Sequence, residues 1–303
     1  MLKYQLLMIV LSLFSCQGRQ NDLKESSFKS DSQHVDQALS SYWYQGKAEL
    51  NHYELSQSRY GETHPGHAVI VFVSEDFSTA KQVKLDNPGS SQAGAQGVLK
   101  CNFIKKFYTG LYPYSMIMSV FSPVGKNVYP HPLKMNSSIQ EWCGHVFIQM
   151  NRVNNQYKLQ SFSYFESESD QQILIPVIWS EDEIWNQIRI DPKRLPVGTF
   201  EMIPGMFYTR LAHEKVQPVQ AKGDLREIEN ENWEYTLRMN EDRTLSIQFK
   251  KETPFTIQSW SEEFNDFGKK SKTVATLKKQ ILSDYWNKHK LEDSVLRKEF
   301  LLP

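Results

Sequence analysis

The chain has 303 residues and balances 35 basic against 35 acidic side chains, so no basic stripe argues for nucleic acid and no polyacidic tail for a cationic partner. Its length is ample for a buried core, as one large domain or two smaller ones. Aromatic residues reach 13% and are spread along the chain, which suits β strands.

Residues 1–15 read as a signal peptide: Lys3, then an apolar core of Leu6, Leu7, Met8, Ile9, Val10 and Leu11. That run is too short to span a bilayer as a helix, which needs ~20 residues. It ends in Leu13-Phe14-Ser15-Cys16, which resembles a bacterial lipobox, with Phe14 bulkier than the commonest residue at its place. The match implies lipidation of Cys16 and loss of residues 1–15; the alternative is an ordinary cleaved signal with an incidental cysteine. Several acyl chains on one residue anchor a protein stably where a single chain does not. Residues 16–41 have the polar composition of a tether. No acidic cluster follows Cys16, so the expected location is the cell envelope, lipid-anchored and periplasm-facing on the outer membrane.

Residues 42–303 form the expected folded body. A first hairpin is predicted from residues 42–60 and 67–77, with turn chemistry in GETHPG at 61–66. Residues 68–73 are apolar throughout, so that strand should be covered on both faces. NPGSSQAGAQG at 87–97 reads as a mobile loop. Residues 98–108 and 114–121 should pair around Thr109 to Pro113, and 123–137 read as irregular. A third hairpin is expected from 142–150 and 157–166. Residues 171–179 follow as a strand in which Pro176 suggests an edge or bulge. Ser180-Glu-Asp-Glu183 fits a capping box for a short helix. Strands are expected at 198–203, 206–212, 216–221, 233–239, 244–250 and 255–264. Residues 271–290, with Val274, Leu277, Ile281 and Tyr285 at helical spacing, read as a long C-terminal helix. The fold class is therefore mainly β: an antiparallel β barrel or two-layer sandwich with a C-terminal helix, since so many strands rarely make one flat sheet. A division into two β subdomains near 180–197 is the alternative.

The candidate chemistry centres on Glu141, Cys143 and His145. In one strand these would share a face, a thiol beside an imidazole can become a nucleophile, and a carboxylate could orient the ring. The opposite face, Trp142, Val146, Ile148 and Met150, should be core. Against catalysis, alternate residues of one strand project in parallel, ~7 Å apart at the given rise. With Cys16 spoken for, Cys101 and Cys143 are candidates for a disulfide in an oxidising compartment. It would close a ~40-residue loop, worth ~4 kcal/mol. His64 and His67 are candidate metal ligands, sparse for a site that wants three or four. Tyr108, Tyr112 and Tyr114 could line a ligand mouth or pack a barrel end. No Gly-rich phosphate loop, G-x-S-x-G, H-E-x-x-H or C-x-x-C pair occurs, and no cofactor is implied.

The motifs LFSC at 13–16, RYGE at 59–62, KQVKLD at 81–86, YPYS at 112–115 and QEWCGH at 140–145 resemble a group of uncharacterised Bacteroidota lipoproteins. Some members carry the label "septum formation inhibitor Maf". Maf proteins are similar to cytosolic nucleotide pyrophosphatases and open with a Ser-Pro-Arg-Arg-type loop that this chain does not have. The resemblance implies an envelope location and supplies no activity. The expectation is a lipid-anchored envelope protein, held to the membrane through Cys16, with a non-catalytic binding or structural role. Its partner would be a hydrophobic ligand or another envelope protein, and not nucleic acid. A thiol-dependent enzyme centred on Cys143 and His145, or a metal-binding lipoprotein using His64 and His67, are the alternatives. A large apolar cavity would favour a ligand, and a packed interior with an exposed apolar patch a protein partner.

Overall fold

The structure is a computed structural model that describes residues 41–87, 94–125, 131–240, 242–266 and 268–302. The signal segment, Cys16 and nearly all of the tether lie outside the described residues, as do residues 88–93 of the expected mobile loop.

Among the described residues, sixteen strands form one sheet. In chain order they are β1 (Ala48–Arg59), β2 (Glu62–Ser78), β3 (Val83–Lys84), β4 (Ala95–Thr109), β5 (Tyr112–Pro123), β6 (Lys134–Glu141), β7 (Gly144–Val153), β8 (Gln156–Ser163), β9 (Gln171–Pro176), β10 (Trp179–Ser180), β11 (Gly198–Ile203), β12 (Val219–Ile228), β13 (Asn232–Met239), β14 (Arg243–Lys250), β15 (Ile257–Asp266) and β16 (Lys269–Ser283). The helices are α1 (Glu181–Ile190), α2 (Met206–Ala212) and α3 (Val295–Glu299). From one edge the order is β9-β8-β7-β6-β5-β4-β2-β1-β16-β15-β14-β13-β12-β11-β10, with β3 beside β2. Pairing is antiparallel except between β10 and β11.

This order dictates the shape. Strands β9 and β10 are the two ends of the sheet, yet only Val177 and Ile178 separate them in the chain. So few residues reach ~10 Å fully extended, so the sheet must roll until its ends meet. The result is a barrel-like sheet with β16 sealed to β1 over nine registered pairs. Hairpins alternate along it with tight turns; Tyr60 and Gly61, both left-handed (φ 57° and 71°), make the two-residue link from β1 to β2.

Directly after β10 the chain turns inward as α1. Ser180 caps it with its side chain accepting from Asp182 N–H, and Glu183 returns a bond to the Ser180 N–H. Every residue from Glu181 to Arg189 is buried. Trp185 packs edge-on against Phe103 of β4 and Trp260 of β15, at 4.9 and 5.3 Å between ring centroids. One core cluster draws Tyr53 and Phe72 from the first half of the chain and Tyr235, Ile247 and Trp260 from the second. The division considered near 180–197 thus falls on the element around which both halves pack.

Several expectations are corrected. Residues 271–290 are not a helix: β16 occupies Lys269–Ser283, and the C-terminal helix is the short α3. A bulge leaves Lys278 between the pairs Tyr53–Leu277 and His52–Lys279. It breaks the two-residue period, and the surviving apolar spacing imitates three-and-four spacing. Residues 206–212 are the helix α2, not a strand, because the Glu181 and Asp182 carboxylates accept the N–H groups of Gly205 and Met206 and cap it from across the fold. Lys134–Glu141, within and beyond the stretch read as irregular, is β6, and ETHPG at 62–66 lies within β2. Val146, Ile148 and Met150 are core, but Trp142 sits in the β6–β7 turn and is 67% exposed.

Candidate functional site

Among the described residues the interior of the barrel is largely filled, with small cavities of about 20 Å³ beside Trp185 and about 80 Å³ beside Val146, Ile148 and Leu159. On the inward register of the strands, charged residues replace apolar ones: Glu49 precedes Tyr53 and Leu55, Lys105 lies between Phe103 and Phe107, Arg243 precedes Leu245 and Ile247, and Glu262 lies between Trp260 and Phe264. Helix α1 supplies their partners. Arg189 grips Glu49 with two hydrogen bonds, at 2.5 and 2.6 Å, and both side chains are fully buried. Tyr42 OH and Asn51 Nδ2 donate to the same carboxylate. Burial alone would push Glu49 up, but the Arg189 charge and hydrogen bonds outweigh it and hold the carboxyl below its ordinary range. Arg243 bridges Glu181 and Glu262, and Lys105 Nζ stands 3.9 Å from Glu262. Burial pulls the Lys105 amine below its usual pKa, against the pull of Glu262. Burial, and then the neighbouring Glu181, push Asp182 well above the usual carboxylate range. The cavity beside these groups holds about 20 Å³. That is room for about one water molecule, not for a substrate.

At the barrel end formed by the β1–β2, β4–β5 and β6–β7 turns stand the residues singled out for chemistry. Glu141 closes β6, Cys143 lies in the two-residue turn and His145 is in β7, opposite Gln140. The three therefore do not share one strand face. The Glu141 carboxylate accepts from the Cys143 backbone N–H at 2.7 Å and faces Arg210 at 3.9 Å. His145 Nε2 is engaged by Ser138 Oγ at 2.8 Å. Hydrogen bonding to Glu141, followed by the Glu141 charge, raises the Cys143 thiol above its ordinary pKa, the opposite of nucleophile activation. The expected disulfide is absent, and both thiols are free: Cys101 is buried in β4, Cys143 exposed. Cys101 registers through Val120 with Met135, and Glu141 lies six positions beyond Met135 on β6. That is ~20 Å along the strand, beyond any S–S bond.

The histidine pair fails for a related reason. His64 and His67 lie three apart on β2, so they face opposite ways. His64 Nε2 meets Arg59 O at 3.1 Å, whereas His67 faces His52 with ring centroids 6.1 Å apart. Among the described residues no group of three or more His, Cys, Asp or Glu is placed to hold a metal ion.

Two exposed features stand out among the described residues. The first is an aromatic rim at the same barrel end. Tyr60 OH and Tyr114 OH are 2.8 Å apart, Tyr112 OH donates to Tyr60 at 3.1 Å, and the Arg59 guanidinium lies 4.3 Å from the Tyr60 ring. The Trp142 ring lies 6.4 Å from Tyr112, and Leu111 projects 78% exposed. The second is a groove of about 1400 Å³ on the outer face of β1, β2, β4 and β5, running to Tyr108 and Tyr114 at the rim and walled by the C-terminal segment. Phe300, buried against His52 at 5.9 Å, pins that segment to the sheet.

No family model and no curated protein matches the chain. Among solved structures it is similar to a beta-barrel-like protein of Domain of Unknown Function DUF1849 from Brucella abortus. The two share 7% identity, with a TM-score of 0.46, over 78% of this chain and 98% of that one. The likeness is too loose to bear on function.

Sequence reasoning passed over Glu49, Lys105, Asp182, Arg189, Arg210, Arg243 and Glu262. A signal for the strand members exists: each is a charged residue on the apolar side of a two-residue alternation. Nothing in the sequence says which opposite charge meets it.

Proposed function

We propose that this is a lipid-anchored cell-envelope protein whose β body binds through its outer surface and catalyses no reaction. The observation that carries this reading is the interior, closed by α1 and by carboxylates locked to Arg189 and Arg243, with cavities of only about 20 and 80 Å³. The chain offers its open space outside, in the groove and on the aromatic rim. The lipobox at 13–16 supports the anchor, and the raised pKa of Cys143 with His145 turned to Ser138 speaks against a thiol enzyme.

Two measurements test this. Labelling the whole chain with a radioactive fatty acid in a Gram-negative host should mark the wild type and not Cys16→Ala; label on the variant sinks the anchor. Alkylation of Cys143 by iodoacetamide should become fast only at alkaline pH. A thiol that reacts fully near neutral pH would overturn the non-catalytic reading.

A further inference from the structure

The groove carries more information than its size. Its floor is the outward register of the sheet: His67 lies opposite Lys106, and Lys106 opposite Ser115. Its far wall is the segment after Leu291, which presents Arg297, Lys298, Leu301 and Leu302. Of the five charged side chains that line it, four are cations and one is Glu54, whose carboxylate is held by Lys278 at 2.7 Å. With Lys278 and Glu54 paired, Lys106 and Lys298, both exposed, bring positive charge to the groove. His67 reports the same field. Burial, then His52, Lys106 and Arg297, lower His67; burial lowers His52 as well, against the pull of Glu54. The remaining walls are carbon: Tyr108 is 64% exposed, Leu301 54%, and Pro113 and Leu302 continue the surface. The volume exceeds the ~300–1,000 Å³ of ordinary small-molecule pockets. Cations set beside exposed carbon in one groove match one kind of molecule.

We propose that the groove binds a single anionic amphiphile, with its carboxylate or phosphate head on Lys106 and Lys298 and its acyl chain along Tyr108, Leu301 and Leu302. This rests on the non-catalytic binding reading above and names its ligand class. No bond is made or broken. Charge complementarity selects the head, burial of exposed carbon holds the tail, and the seat lies outside the barrel rather than within it.

The test uses the whole chain carrying Cys16→Ala, so that no attached acyl chain competes, and calorimetric titration with monomeric dodecyl phosphate and dodecanoate. Both should bind about tenfold or more tightly than dodecyl maltoside, which shares the chain but not the charge. Added salt should weaken them. The exposed pair Lys106→Glu with Lys298→Glu should weaken both about tenfold or more, with the thermal transition unchanged. Should that pair fail to fold, Lys106→Gln with Lys298→Gln gives the same comparison at lower perturbation. Equal binding of dodecyl maltoside would reduce the groove to an apolar face and overturn the proposal. Equal binding of inorganic phosphate would overturn it by leaving the chain no role. Attachment only to vesicles of phosphatidylglycerol, or only to an acidic peptide, would overturn the amphiphile and leave the non-catalytic reading standing. Dodecyl phosphate bound and then released as dodecanol and phosphate would do the reverse, keeping the site and removing the reading.

Discussion

Removing one charge from the centre of this barrel gives the sharpest test of how it is held together. Glu49→Gln preserves shape but leaves the Arg189 guanidinium, fully buried between the Phe72 and Trp43 rings at 4.7 and 5.2 Å, without a counter-charge. Breaking a buried ion pair from one side destabilises by ~3–5 kcal/mol, because the remaining charge is desolvated and uncompensated. For a body of this size each kcal/mol moves the melting temperature by ~2–4 °C, so a fall of ~6–20 °C is expected. Replacing both members, Glu49→Met with Arg189→Met, removes the stranded charge and should recover most of the loss. Tyr42 and Asn51 then lose their acceptor, which keeps recovery short of complete. Urea unfolding followed by tryptophan fluorescence measures all three proteins. The sign with pH also follows. The folded Glu49 carboxyl titrates below its unfolded value of ~4.3, so its contribution is present above that pH and fades as acid carries the solution down through the folded value. A loss under ~1 kcal/mol for Glu49→Gln, far beneath the one-sided cost expected for a buried pair, would refute the reasoning. So would a double variant no better than the single.

Other perturbations probe separate parts of the fold. Asp182, raised by burial and Glu181, binds its proton more tightly folded than unfolded, so it withdraws stability as pH climbs above ~3.9. Asp182→Asn keeps an acceptor for Met206 N–H and should flatten that decline in chemical denaturation at several pH values; an unchanged slope would be contrary. A Cβ at Gly66 would lie 2.4 Å from Lys106 O and 2.8 Å from Phe107 Cβ, so Gly66→Ala should destabilise by ~1–3 kcal/mol through overpacking of β2 on β4. Equal urea midpoints for the two proteins would contradict the stated register. At alkaline pH a maleimide should modify Cys143 in the native chain and Cys101 only on unfolding, as mass spectrometry of the peptides would show. Trp142→Ala, at an exposed turn, should change stability by no more than ~0.5 kcal/mol.

The sequence by itself determined the class of fold and much of its strand content. Alternation, turn residues and the Ser180–Glu183 capping box act within a few residues, so β1, β7, β13, β14 and the start of α1 were legible. The resemblance of residues 13–16 to a lipobox is equally local. Tertiary structure decided what depends on partners distant in the chain. Residues 269–283 became a strand because β1 and β15 supply hydrogen bonds on both sides, which outweigh helical spacing. Residues 206–212 became a helix because Glu181 and Asp182 reach its first N–H groups. The candidate site changed for the same reason. Glu141, Cys143 and His145 are neighbours in sequence, but a turn separates their directions, Arg210 faces the carboxylate and Ser138 engages the imidazole. The charges that fill the barrel, and the cations gathered in the groove from β4, β16 and α3, are adjacent only after the sheet has rolled shut.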